Sequence, residues 1–275
     1  FAFSACQPNA AGGGNTAGGS VAVSKDDALV YAADGDLDKV FVYDTKQQQV
    51  VSAISVGRQP EKVLVAPDGT LFVTNRLGRS VSVIHQGETT EAAKLKTAVE
   101  PVGLALTEDG KTLYVVNAAS LQDTDFGTVM AFDTNTLAMK WETPVGQEPR
   151  GLTLVGDGRL AVSLSKQGDL VFLDSKSGKV VRNGTGVFEQ LNASALGIAK
   201  PGTNVGIGME PRPLDDPGFF KSGPLTTHPR AMEAPTVSPS GKQLFAAAQL
   251  ASDSIVQTST GVDADGNPLP IDPGS

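Results

Sequence analysis

An all-β chain built from repeated four-stranded antiparallel units is what this sequence predicts, on three observations. The 31 Gly and 17 Pro place helix-breaking residues at 48 of 275 positions, against 11 Phe, 3 Tyr and 1 Trp; that balance suits strands joined by turns. One sequence template recurs about every 42 residues. Within each recurrence the apolar residues alternate with period two, as a pleated strand requires.

The template reads SKDDALVYAAD at 24–34, APDGTLFVTN at 66–75, TEDGKTLYVVN at 107–117 and GDGRLAVSL at 156–164, with SPSGKQLFAAA at 238–248 as a fifth copy. Its aligned residues Tyr31, Phe72, Tyr114, Ala161 and Phe245 are 41, 42, 47 and 84 positions apart, so one step is doubled. Each unit opens with a short apolar strand: Val21 to Val23, Val63 to Val65, Gly103 to Leu106 and Leu152 to Leu154. A turn of Asp-Gly type follows in most units, because Gly and Asp tolerate positive φ. The second strand ends at Asp34, Asn75 or Asn117, and the third alternates over Val40–Asp44, Val81–His85, Val129–Asp133 and Leu170–Asp174. The fourth runs into Gly57-Arg-Gln-Pro60, Ala98-Val-Glu-Pro101 or Gly146-Gln-Glu-Pro149, where the next unit begins. For GETTEAAKLK (87–96) a short helix competes with a turn and a strand, and the repeat favours the latter across Leu95, Thr97 and Val99.

Four antiparallel strands in a repeat of this length are the signature of a β-propeller blade. TLFVTN at 70–75 and TLYVVN at 112–117, each behind a Pro-Asp-Gly or Glu-Asp-Gly turn, resemble the YVTN family of β-propeller repeats. The resemblance covers residues 20–182 well and 231–258 weakly. It implies a seven-bladed, exported or surface-associated protein of bacteria or archaea, often without assigned chemistry. Seven blades of this length need roughly 290 residues, so the propeller is expected to be incomplete in this chain, with further blades on the C-terminal side.

Around the blades, residues 1–19 read as an export-signal remnant and tether. Phe3-Ser4-Ala5-Cys6 resembles the bacterial lipobox, which implies lipid on Cys6, and the Gly/Ala/Asn run to Gly19 is a flexible composition. The departure is Phe3, where Leu is commonest. Residues 20–258 carry the blades, interrupted by a Gly/Pro-rich insert at 185–230; from Gly197 to Pro229, 12 of 33 residues are Gly or Pro. The insert is either a divergent blade or a long loop, and its Phe219-Phe220 pair is expected to dock on the propeller, since exposed Phe pairs are costly. Residues 259–275 read as a turn-rich, truncated tail. No run of 18 apolar residues occurs, so the expected membrane link is the lipid alone.

Candidate chemistry is sparse. A single cysteine excludes an intrachain disulfide, a Cys-rich zinc site and a CxxCH haem attachment within these residues, so no cofactor is expected in this chain. A net charge of −8 repels phosphate backbones and argues against nucleic acid. Asp123 and Asp125, and Asp263, Asp265 and Asn267, each supply half of a calcium loop without the closing acid, and read as solvated turns. His85 stands where other repeats carry Asp44, Asp133 and Asp174, which reads as a turn substitution. His228-Pro229-Arg230 matches the other unit starts, so Arg150 and Arg230, with His228 beside them, are expected at one mouth of the central channel. There they either bind a carboxylate or phosphate bidentately or pair with Glu148 and its neighbours; Arg58 and Arg76 are lesser candidates. No catalytic residue and no metal ligand is predicted.

Three readings follow. The first is a non-enzymatic binding or scaffold propeller of the cell envelope, exported, either anchored at the outer membrane or cell surface or periplasmic, that takes a protein or a small anionic ligand on one face. The second, implied by the resemblance, is the propeller part of a c-type-haem electron-transfer or peroxidase-like protein whose haem module lies beyond Ser275. The third is a metal-dependent hydrolase or lactonase, which would need channel carboxylates.

Overall fold

The structure, a computed structural model, describes residues 17–122, 126–156, 158–166, 169–181, 227–230, 234–238, 244–247 and 249–252. Every regular element among them is a strand, and the first four sheets along the chain are successive blades of a β-propeller. Blade 1 is β1 (Val21–Val23), β2 (Leu29–Asp34), β3 (Lys39–Asp44) and β4 (Gln49–Ser55), paired in that order. Blade 2 is β5 (Pro60–Val65), β6 (Leu71–Asn75), β7 (Ser80–Ile84) and β8 (Ala93–Lys96). Blade 3 is β9 (Val99–Leu106), β10 (Thr112–Ala119), β11 (Gly127–Asp133) and β12 (Met139–Gly146). Blade 4 shows three strands, β13 (Pro149–Val155), β14 (Arg159–Leu164) and β15 (Asp169–Asp174), with Val180 bridging back to Leu173.

The inner strands β1, β5, β9 and β13 are neighbours in space. Strands β5, β9 and β13 begin around Pro60, Pro101 and Pro149 and all four end at a turn, so these prolines lie on one face and the turns on the other. Three of those turns hold a glycine in the left-handed region, Gly69, Gly110 and Gly158, at φ between 72° and 84°. Residues 87–96 form a turn and then β8, as the repeat demands, but β8 ends at Lys96 and Val99 already belongs to the inner strand of blade 3.

Burial follows from blades stacking face to face. Both faces of blades 2 and 3 are covered, so their middle strands are buried nearly throughout rather than alternately. Alternate residues point to opposite neighbours. Leu71, Val73 and Ile84 pack on Tyr31, Val40, Val42 and Ile54 of blade 1, whereas Phe72, Val81 and Val83 meet Leu104, Leu113 and Met130 of blade 3. Between blades 3 and 4, Tyr114, Val116 and Val129 face Leu152, Leu160 and Val171. Each such fully buried side chain contributes about 1.5–3 kcal/mol of transfer free energy. Blade 1 keeps the alternation because, among the described residues, only one of its faces is covered. Val23, Val30, Tyr43 and Val50, aligned across its four strands, lie on the other face, and Val23 and Val50 are 49% and 56% exposed.

After blade 4 the fifth copy keeps its register, with Phe245 opposite Thr236 as Phe72 is opposite Leu64, but its start differs from the expected one. β16 (Thr227–Arg230) pairs with β19 (Gln249–Ser252), while β17 (Thr236–Val237) pairs with β18 (Leu244–Phe245). β17 supplies the next inner strand, because Ala234 stands against Gly151 as Gly151 stands against Gly103. His228-Pro229-Arg230 therefore does not open that strand. Gly151 directly follows Arg150, but Ala234 lies four residues beyond Arg230, so the proline does not mark the start of this strand and the small-residue contact does.

Candidate functional site

The residue before each inner-strand proline is the recurrent feature of the proline face. Gln59, Glu100 and Glu148 adopt φ of 51°, 54° and 51°, a conformation that costs non-glycine residues energy unless its surroundings fix it. Main-chain bonds do so: the Gln59 carbonyl accepts from the Arg76 N–H at 2.8 Å and the Glu148 carbonyl from the Ser165 N–H at 2.9 Å. Asp38 Oδ1 also accepts the Gln59 N–H at 2.7 Å, which links blade 1 to blade 2. One polar side chain per blade is thereby presented at the mouth, while the strand behind it is free to be apolar.

Arg76, at the end of β6, spans two blades. Its Nε and Nη2 donate to Glu100 Oε2 at 3.1 and 2.8 Å, and Glu61 Oε2 lies 4.0 Å from Nε. Glu61 Oε2 is buried without a hydrogen-bond partner. The hydrogen bond that Arg76 donates to Glu100 leads the effects that push the Arg76 pKa up, with the charges of Glu100, Glu61 and Glu148 adding to it, so the guanidinium stays charged at any working pH. Arg150 donates from Nη2 to Glu148 Oε1 at 2.9 Å. The five groups carry one more negative than positive charge, and each guanidinium is already matched to a carboxylate. That arrangement suits a partner surface of mixed charge better than a small anion.

Of the sequence candidates, Arg150 lies at this mouth in its paired form. Arg76, ranked low in the sequence, is the residue that joins blades; its place beside Asn75 and that of Glu100 before Pro101 fall at one edge of the repeat, which is the signal that could have found the pair. Arg58 contributes a main-chain carbonyl to the Gly78 N–H at 3.2 Å. His228 and Arg230 lie in β16, and their side chains are not described. Cys6, Phe219, Phe220, Asp123, Asp125, Asp263, Asp265 and Asn267 lie outside the described residues. His85 is exposed and closes its turn through its carbonyl, which accepts the Glu88 N–H at 3.0 Å, with Gly87 at φ 78°. Its counterparts Asp44, Asp133 and Asp174 close theirs with a side-chain oxygen that accepts the N–H groups of Gln47, Thr136 and Ser177. Among the described residues no three His, Cys, Asp or Glu side chains gather as a metal site would require.

The channel is occupied where β5 and β9 line it. Ala17 bridges Ala105 and Gly19 bridges Val63, both antiparallel. Gly18 N–H donates to Leu104 O at 2.8 Å, Gly19 N–H to Val63 O at 3.1 Å, and Val63 N–H to Gly19 O at 2.6 Å. Since β5 and β9 pair with β6 and β10 on one edge, these bonds use the edges that face the axis.

No family model matches this sequence, and no curated protein matches it. Solved structures do. Hydrazine synthase of Kuenenia stuttgartiensis is similar with a TM-score of 0.55 and 25% identity, over 66% of this chain and 52% of that one. A chain of a mitotic checkpoint complex aligns with a TM-score of 0.50 at 17% identity, over 59% and 49%. The dihydro-heme d1 dehydrogenase NirN, solved in complex with DHE, aligns with a TM-score of 0.50 at 15% identity, over 60% and 37%. The latter two likenesses show the propeller fold alone, and this chain spans at most about half the length of these three structures.

Proposed function

We propose that this chain is a non-enzymatic binding or scaffold β-propeller of the YVTN repeat type, exported to the cell envelope and held there by lipid on Cys6, with a protein partner on its proline face. The observation that carries the binding role is the mouth itself. Three consecutive blades deliver Gln59, Glu100 and Glu148 from strained pre-proline positions, and Glu61, Arg76 and Arg150 pair with or lie beside these acids to complete a mixed-charge rim. A rim of this kind changes specificity by side-chain exchange without disturbing the blades behind it. The anchor rests on Phe3-Ser4-Ala5-Cys6.

Site-specific photo-crosslinking in intact cells tests the binding role, with the crosslinker at Glu148 or at Asp109 on the opposite face. A discrete adduct from Glu148 alone supports it, and adducts from neither position, or equally from both, overturn it. Fractionation of Cys6→Ala tests the anchor separately, because a lipid-held protein leaves the membrane fraction when that cysteine is lost.

A second reading draws support from the likeness to hydrazine synthase, an enzyme by name, at 25% identity. In it the chain is the docking propeller of a longer redox protein with a c-type haem module. Sequencing past Ser275 for a CxxCH motif, or a Soret band in the protein isolated from its source, decides between the two.

A further inference from the structure

The axis-facing edge of a propeller's inner strand is a row of backbone N–H and C=O groups that an extended peptide can complete. We propose that the edges of β5 and β9 form a strand-addition site in the central channel for an extended, glycine-containing peptide, and that Ala17–Ser20 is a ligand held there in cis. Three observations carry this. The segment bonds to two blades rather than continuing one sheet, with Gly18 donating to Leu104 of blade 3 and Gly19 exchanging two bonds with Val63 of blade 2. It runs antiparallel to both inner strands and then reverses at Ser20, whose carbonyl accepts the Ala33 N–H at 3.0 Å, to become β1. The seat also selects small residues: a Cβ on Gly18 would stand 3.0 Å from Leu104 Cβ and 3.3 Å from Val63 O, and Ala17 faces the fully buried Ala105.

Main-chain hydrogen bonds supply the attraction and steric fit supplies the choice of Gly. Any extended peptide with Gly at this place, presented from the turn face, has the same bonds open to it once the cis segment leaves.

Amide hydrogen exchange in the full chain tests the proposal, read at Val63, whose N–H donates to Gly19 O. In Gly18→Val, exchange at Val63 is expected to speed up at least tenfold. Adding the acetylated peptide Asn-Thr-Ala-Gly-Gly-Ser, residues 15–20, is then expected to restore protection, while the same peptide with Val in place of its first Gly is not. Unchanged Val63 exchange in the variant, or no restoration by the glycine peptide at millimolar concentration, overturns the proposal. Where Gly18→Val does not fold, Gly18→Ala serves: its single methyl is expected to give a smaller acceleration that the same peptide reverses, and exchange equal to that of the unsubstituted chain counts against the site.

Discussion

Gly103 and Gly151 occupy the same place in successive inner strands and touch, a Cβ on Gly103 falling 3.3 Å from Gly151 Cα. Gly151 in turn meets Ala234, and there the fit is closer: a Cβ on Gly151 would fall 2.3 Å from Ala234 Cβ and 2.5 Å from its Cα. Small residues in this column let the inner strands converge on the axis. Gly151→Ala is therefore expected to cost about 1–3 kcal/mol, the range of overpacking in a closed core, and Gly103→Ala clearly less. Urea unfolding midpoints of the two variants check the ranking, and equal costs would show that the column does not set the spacing.

Arg76 and Glu100 join blade 2 to blade 3 at the mouth, with side chains 32% and 36% exposed. Exposure limits their coupling, which a double-mutant cycle with Arg76→Met and Glu100→Gln should place at about 0.5–1 kcal/mol at low salt. Raising ionic strength is expected to shrink that coupling. Arg76→Met alone should cost more than Glu100→Gln alone, because Arg76 also faces the buried Glu61 Oε2. The opposite order would remove Glu61 from the network.

The blades were legible in the sequence because each is written in local terms: period-two alternation, a turn with Gly or Asp, and a pre-proline step. Asp44, Asp133 and Asp174 were readable as turn caps for the same reason. What was not legible depends on contacts between units. That Gln59, Glu100 and Glu148 share a left-handed backbone is invisible to composition, since none is Gly or Asn. The fifth copy keeps its register, Phe245 lying opposite Thr236 as Phe72 lies opposite Leu64, but its start is misplaced because His228-Pro229 imitates Glu148-Pro149, whereas the residue that meets Gly151 is Ala234. The seating of Ala17–Ser20 in the channel was unreadable as well, since its Gly-rich composition fits a tether equally well and only the free edges of β5 and β9 give it a place.

Acid should act on the turn after β11. The Asp133 carboxyl is held down to about 2, chiefly by the Thr136 N–H and then by Lys140, against an ordinary value of 3.8. A carboxyl lowered in the folded state contributes stability that is present above its unfolded value and lost as pH falls through its folded one. Between pH 4 and pH 2 the unsubstituted chain is therefore expected to lose thermal stability more steeply than Asp133→Asn, which keeps an oxygen for the turn but does not titrate. Parallel melting-temperature profiles across that window would refute the assignment.

Asn75 provides the sharpest test of how the repeat handles a buried polar group. It is fully buried, its Nδ2 donates to Ser80 Oγ at 3.0 Å and Ser82 Oγ at 2.8 Å, and its Oδ1 has no partner. Gly57 makes the room, since a Cβ there would fall 2.6 Å from Asn75 Cγ. Blade 4 has Leu164 at this place, opposite its proline as Asn75 is opposite Pro60, so a branched apolar side chain is compatible with the blade. Asn75→Leu should then cost about 1–2 kcal/mol for the two lost hydrogen bonds. Asn75→Asp keeps the shape but buries a carboxylate without a matched cation, and should cost about 3 kcal/mol or more at neutral pH. Desolvation would raise that carboxyl above its unfolded value, so the Asn75→Asp variant should recover stability as pH falls toward 4, in the direction opposite to the Asp133 effect. Chemical denaturation of both variants at pH 7 and pH 5 measures this, and an Asn75→Asp chain as stable as the Asn75→Leu chain at pH 7 would mean that water reaches the site.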